Sequence, residues 1–283
     1  MRMTWEIRRK YIQFLTILLT NPEAANLCSG RIYKGGGKAF CAPGLNCYSC
    51  PAAALSCPVG ALQAVGGQAG FSFYVSGFLL LIGVLWGRLV CGFLCPFGLM
   101  QELLHKLPCP RKKLYLPLRW VKYGILAVFV LLWPAASLLY GGAGVPAFCQ
   151  YICPAGTLEG AVPLLLAHPE FRQAAGGLFA WKALLLVLII VGSMSIYRLF
   201  CRMLCPLGAI YGLLNRVCLY RLQVDKGRCT DCGKCAKACP MDVHPAHQPH
   251  SPECIMCGKC MAVCPQQALY WGKERDLSIA KVD

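Results

Sequence analysis

The sequence predicts an α-helical membrane protein, with four transmembrane helices in two pseudo-repeats and a small α+β domain at the C-terminal end. Three observations predict it. Hydrophobic residues make up 57% of the 283 positions and charged residues only 14%, where a soluble domain carries about 25% charged. Long uncharged runs recur at 71–87, 123–140 and 183–197. The 21 cysteines fall into a few repeated short patterns.

The first expected span is YIQFLTILLTNPEAANL, 11–27, in which Asn21-Pro22-Glu23 interrupts ten apolar-rich residues. A half-helix or an uncleaved signal-like anchor is the alternative. The run at 71–87 has 17 residues and no charge, and about 17 is the lower limit for spanning. The run at 123–140 has 18 uncharged residues, with Pro134 as an expected kink. The run at 183–197 extends back through Lys182 and Trp181, residues suited to a membrane interface.

Charge sets the expected orientation. The stretch 88–122 holds seven Lys/Arg, whereas 141–182 holds only Arg172 and Lys182. The first should face the cytoplasm, together with Arg2, Arg8, Arg9 and Lys10 at the start and everything after Arg198. Both termini are then cytoplasmic in a multi-pass protein of the cytoplasmic membrane. Arg31, Lys34 and Lys38 in the outer loop are a mild exception. The expected domains are 1–215, membrane, with an outer Cys-rich loop at 28–65, and 216–283, cytoplasmic. The formal charge of +16 does not indicate nucleic acid, because the basic residues cluster beside apolar runs and form no soluble patch.

Cys-Pro-x-Gly occurs at Cys57, Cys95, Cys153 and Cys205. In order these fall outside, inside, outside and inside. The repeat places two like segments at each face, about a pseudo-two-fold axis along the membrane normal. Cys50 stands seven positions before Cys57 where four is the rule elsewhere, so the first unit is a divergent copy.

The C-terminal region contains CTDCGKCAKACP and CIMCGKCMAVCP. Both are C-x2-C-x2-C-x3-C-P, the bacterial two-cluster ferredoxin pattern, in which the fourth cysteine ligates the other cluster. Cys229, Cys232, Cys235 and Cys264 are thus expected at one [4Fe–4S] cluster. Cys254, Cys257, Cys260 and Cys239 are expected at the second. Gly233 and Gly258 suit tight turns with backbone donors to sulfur. Zinc modules prefer separated ligand pairs, and the histidines of MDVHPAHQPH read as loop residues.

Cys91/Cys95 and Cys201/Cys205 are C-x3-C pairs, and residues i and i+4 share a helix face. Two such pairs can hold a third cluster near the inner face, whereas a single pair would read as packing cysteines. The outer side offers Cys28, Cys41, Cys47, Cys50, Cys57, Cys149 and Cys153. Repeat logic selects Cys50, Cys57, Cys149 and Cys153 for a fourth cluster. Local logic offers Cys41, Cys47, Cys50 and Cys57. Cys41 and Cys47 are alternative ligands, a disulfide or a redox-active dithiol. Cys28, Cys109 and Cys218 default to packing. The iron is expected through these same cysteines, and the anionic clusters would offset much of the +16. No covalent-haem, dinucleotide or P-loop motif is present in the sequence. Glu102, His105 and Glu159 could handle protons at a quinone site, although a helix-surface role is the blander reading.

GRLVCGFLCPFG and YRLFCRMLCPLGAIY, followed by the two-cluster pattern, resemble the integral membrane 4Fe-4S polyferredoxins, a family with NapH-type and NosR-type members. The resemblance runs over 71–269. The outer CAPGLNCYSCPAAALSCPVGALQ and CQYICPAGTLEG look like a less characterised branch from anaerobes. The chain departs from the NosR type in lacking a flavin-attachment domain, and from the NapH type in its outer cysteines.

Together these imply transmembrane electron transfer through four [4Fe–4S] clusters, as a component of an oxidoreductase system. The expected donor is a cytoplasmic ferredoxin or reductase. The expected acceptor is an extracytoplasmic redox protein, flavoprotein or metal ion, with membrane complex partners and a bound quinone also open. The alternatives are a quinol dehydrogenase subunit feeding a partner reductase, and a redox- or iron-sensing component of a membrane complex.

Overall fold

A computed structural model describes residues 5–68, 70, 72–139, 144–174 and 176–272. Arg2, the first residue of the 71–87 run, the last of the 123–140 run and the end of the 216–283 domain lie outside the described residues.

The chain is mostly helical with one small sheet. Among the described residues, two helices are long and apolar enough to cross a membrane, Leu116–Ser137 and Gly177–Ser195. Phe73–Trp86 is apolar but shorter, at 14 residues. Ser72 caps its start by accepting from the Val75 amide, and Gly87, at φ 51°, ends it. The Leu116–Ser137 helix is irregular. Over Leu126–Leu132 its ladder widens to five-residue turns immediately ahead of Pro134, whose missing N–H and ring bulk disfavour an ordinary turn.

The first helix, Trp5–Thr20, begins earlier than its apolar run and stops where Asn21-Pro22 breaks the pattern. Its first residue, Trp5, packs on Phe93 and against Gly258. At its far end the Thr20 carbonyl accepts from Ala54. Sixteen residues rise about 24 Å, so this one helix reaches from the C-terminal domain to the outer loop.

The repeat has a common backbone form. Cys57, Cys95, Cys153 and Cys205 are all extended, with ψ between 112° and 126°. A residue before proline is driven from the helical region. For Cys57, Cys95 and Cys205 the proline then opens the next helix, at Pro58–Gly66, Pro96–Leu104 and Pro206–Leu214, the position where a missing N–H costs nothing. Each helix thus starts at a thiol.

The C-terminal domain is closed by the antiparallel strands Arg221–Val224 and Leu269–Gly272, with Leu222 opposite Trp271. One apolar core runs through both parts. It includes Cys57, Cys91, Cys95, Cys153, Cys201 and Cys205 together with Met241, Val243 and Ile255 of the C-terminal domain.

Candidate metal centres

The C-terminal domain forms two cavities. One is lined by Cys229, Cys232, Cys235 and Cys264, the other by Cys239, Cys254, Cys257 and Cys260. Each takes three thiols from one run and the fourth from the other. The two runs turn alike: Asp231 and Met256 hold φ 49° and 53°, and Gly233 and Gly258 hold 69° and 79°. These left-handed turns point amides inward, so Cys232 accepts from Lys234 and Cys254 from Met256. Asp231 and Met256 bear side chains where glycine is favoured, which marks the constraint of wrapping a cube. His247 meets Asp231 at 3.2 Å, and its ring lies tilted against that of His244, with centroids 4.2 Å apart.

The inner thiols converge. Cys205 has the Cys91, Cys95 and Cys201 thiols around it, and Cys95 has those of Cys91 and Cys201. Gln101 organises them. Its Oε1 accepts from the Phe200 amide at 3.0 Å, and its Nε2 donates to Cys201 Sγ at 3.1 Å.

The outer thiols that converge are Cys47, Cys57, Cys149 and Cys153, which line a cavity of about 540 Å³. Cys153 has the thiols of the other three around it. Cys50 is not among the lining residues. It packs with Leu27, Ala52 and Ala53, while Cys41 sits beside Cys57. Gln63 repeats the geometry of Gln101. It accepts from Phe148 N–H at 3.0 Å and donates to Cys149 Sγ at 3.2 Å. Of the remaining cysteines, Cys28 is exposed, Cys109 is half-buried, and Cys218 is buried against Asn215.

Two close approaches join the sites. A side chain at Gly92, between Cys91 and Cys95, would collide with the carbonyl of Ile255, between Cys254 and Cys257. The C-terminal domain therefore rests directly on the inner site. A Cβ on Gly44, in the outer loop, would stand 2.8 Å from Cys95 Cα. The next two residues, Leu45 and Asn46, are buried beside Cys95 and Cys57. Tyr211, fully buried, donates to the Pro43 carbonyl at 3.1 Å and has thiols of both sites around it.

The electrostatics suit an anionic occupant. Arg9, Arg88, Arg198, Arg202 and Lys122 are buried around the inner site. Arg198 donates to the Cys91 carbonyl and Arg88 to the Cys201 carbonyl. Their carboxylate partners are fewer. Glu102 binds Arg9 and Arg198 at 2.5 Å each. Glu253 binds Arg88 at 3.0 Å and also Lys122. Arg202 pairs with Asp242 at 2.8 Å. Burial would raise the Glu253 carboxyl, but Arg88 and Lys122 hold it below its usual range. Converging thiols, sulfur-directed N–H donors and an excess of buried cations fit [4Fe–4S] clusters, whose thiolate-ligated core is anionic.

Several of these residues escape sequence reasoning. Arg88 and Lys122 read there as exposed loop charges, and Glu102 as a helix-surface residue, yet all three are buried in ion pairs. The glutamines leave a signal that CPxG alone does not capture. The sixth residue after each proline-linked cysteine is Gln63, Gln101, Glu159 or Tyr211. All four reach across: Glu159 accepts the Cys47 amide at 2.8 Å, and the other three are described above. His105 is half-buried, edge-on to Tyr197.

Comparison with known proteins agrees with the donor sets. The family described as "4Fe-4S binding domain" matches residues 68–117, 125–165 and 178–224, and "4Fe-4S dicluster domain" matches 221–265. An uncharacterized protein of Methanocaldococcus jannaschii is 25% identical over 62% of this chain and 61% of its own. The putative electron transport protein YccM of Escherichia coli is 29% identical over 58% of this chain and 44% of its own. The ferredoxin-type protein NapH of Haemophilus influenzae is 26% identical over 57% and 50%. The chain thus spans about half the length of the curated relatives it matches. No solved structure matches. With ferredoxin-type domains in both its helical and its C-terminal parts, the chain belongs to the polyferredoxin-like 4Fe-4S proteins.

Proposed function

We propose that the chain carries electrons across a membrane, from a cytoplasmic donor to an extracytoplasmic acceptor, through four [4Fe–4S] sites in series. The ligands are Cys229, Cys232, Cys235 and Cys264; Cys239, Cys254, Cys257 and Cys260; Cys91, Cys95, Cys201 and Cys205; and Cys47, Cys57, Cys149 and Cys153. Clusters bound there supply one-electron carriers. The spans are the Trp5–Thr20, Phe73–Trp86, Leu116–Ser137 and Gly177–Ser195 helices, with both termini cytoplasmic.

The observation that carries this reading is the seating of the outer loop on the inner site: a Cβ on Gly44 would stand 2.8 Å from Cys95 Cα, and the neighbouring Pro43 carbonyl accepts from Tyr211 at 3.1 Å. A hydrocarbon core of about 30 Å would otherwise isolate sites on opposite faces. The re-entrant outer loop removes that gap, and the contact of Gly92 with Ile255 joins the C-terminal domain to the same path.

The test is iron content together with transfer. Protein purified without oxygen should hold about 16 iron atoms per chain. In vesicles it should pass electrons from a reduced ferredoxin outside to cytochrome c trapped inside. Cys57→Ser with Cys153→Ser should lose about four iron atoms and stop the transfer. Unchanged transfer in that variant would refute the reading.

A further inference from the structure

A groove of about 400 Å³ opens where the loop after the Pro96–Leu104 helix meets the C-terminal domain. Its walls carry Lys106, Arg111, Lys112, Lys113, Lys237 and Lys259, and Cys239 lies in its lining. Within the groove, Arg202 is neutralised by Asp242 at 2.8 Å, and Lys259 faces Glu6 at 3.6 Å. No carboxylate of the described residues pairs with Lys106, Arg111, Lys112, Lys113 or Lys237, and all five are exposed. The loop is held in place, since the Lys112 amide donates to the Ser195 carbonyl at 2.9 Å. That carbonyl ends the Gly177–Ser195 helix, so the cations are fixed at one end of the bundle.

A positive-inside loop accounts for basic residues near a span, but not for their place around a cysteine of a candidate centre. Cys239 is the thiol that its run contributes to the cavity of Cys254, Cys257 and Cys260. That cavity adjoins the inner site through Ile255 and Gly92. A molecule seated in the groove therefore stands beside the second centre of the series.

We infer that this groove is the docking surface for an acidic one-electron carrier protein, which delivers its electron at the centre that Cys239 helps to form. The inference rests on the electron-transfer reading above. The carrier presents carboxylates around its own redox group, and like charges on any basic competitor are repelled. Each encounter moves one electron from the reduced carrier to the oxidised centre, and no bond is made or broken. Charge complementarity of this kind acts chiefly on the rate of encounter, and salt weakens it.

The experiment measures reduction of the C-terminal centres in detergent, so it does not depend on transfer across a membrane. The probe is a reduced acidic two-cluster ferredoxin, mixed with the oxidised protein in a stopped flow. The variant is Lys112→Gln, Lys113→Gln and Lys237→Gln combined, with iron content confirming that the centres are loaded. The second-order rate should fall about tenfold at low salt and lose most of its salt dependence. Replacing the same three residues with arginine should restore it. Photoreduction by uncharged deazaflavin should be the same for all proteins. An unchanged ferredoxin rate in the glutamine variant would overturn the inference. So would a rate that leaves salt dependence intact while binding to anionic phospholipid vesicles disappears, because the groove would then be a headgroup site.

Discussion

Gly44 of the outer loop lies directly on Cys95, where an added Cβ would stand 2.8 Å from the cysteine's Cα. Its missing side chain lets the loop lie on that backbone. Gly44→Val should displace the loop, with an overpacking cost of about 1–3 kcal/mol. The expected result is slower reduction of the outer centre with the C-terminal centres unaffected, read by freeze-quench EPR.

Gln63 and Gln101 make the same two contacts in two places. An N–H donor to sulfur favours the more negative, reduced state of a cluster. Gln101→Leu should lower the potential of the inner centre, and Gln63→Leu that of the outer one. A differential of about 1.4 kcal/mol corresponds to about 60 mV for one electron. Redox titration of each variant should show one shifted wave, and a different wave in each.

Glu102 clamps Arg9 to Arg198, with Tyr197 as a further donor at 2.8 Å. Burial would raise its carboxyl, but the two guanidinium groups push it down to about 2. A depressed carboxylate stabilises fully above its unfolded value, about 4.3, and loses that contribution as pH falls through about 2. Stability from this clamp should thus be flat from pH 5 to 8. Glu102→Gln should cost about 3–5 kcal/mol by leaving buried cations unpaired, measured as a lower thermal midpoint.

Gly92 is the contact point of the C-terminal domain. Gly92→Ala should push Ile255 away and strain the Arg88–Glu253 pair. The expected result is a full complement of iron with slowed transfer from the C-terminal centres to the inner one. Rates equal to the parent protein would show that the domain's seat is not set by this contact.

Much of the fold was legible because its rules are local. Apolar run length marked the Leu116–Ser137 and Gly177–Ser195 helices, and Cys-Pro marked where helices restart. Tertiary facts were less accessible. Cys47, rather than Cys50, lines the cavity with Cys57, Cys149 and Cys153, and the divergent outer loop follows a path that no spacing rule fixes. Arg88 and Lys122 read as exposed charges because composition cannot show a buried carboxylate, here Glu253, more than 130 positions away. The depth of the outer loop was hidden for the same reason: a loop reads as surface until its partner, Cys95, is known.

That depth has an electrical consequence. Leu45 and Asn46 are 2% and 1% exposed, and the loop lies on the backbone of Cys95. On the electron path proposed above, the charge crosses through packed protein at this loop. On that proposal each transfer along the Trp5–Thr20 length is electrogenic. At a membrane potential of 100 mV it gains or loses about 2.3 kcal/mol per electron, so the voltage across the membrane enters directly into the driving force for the acceptor.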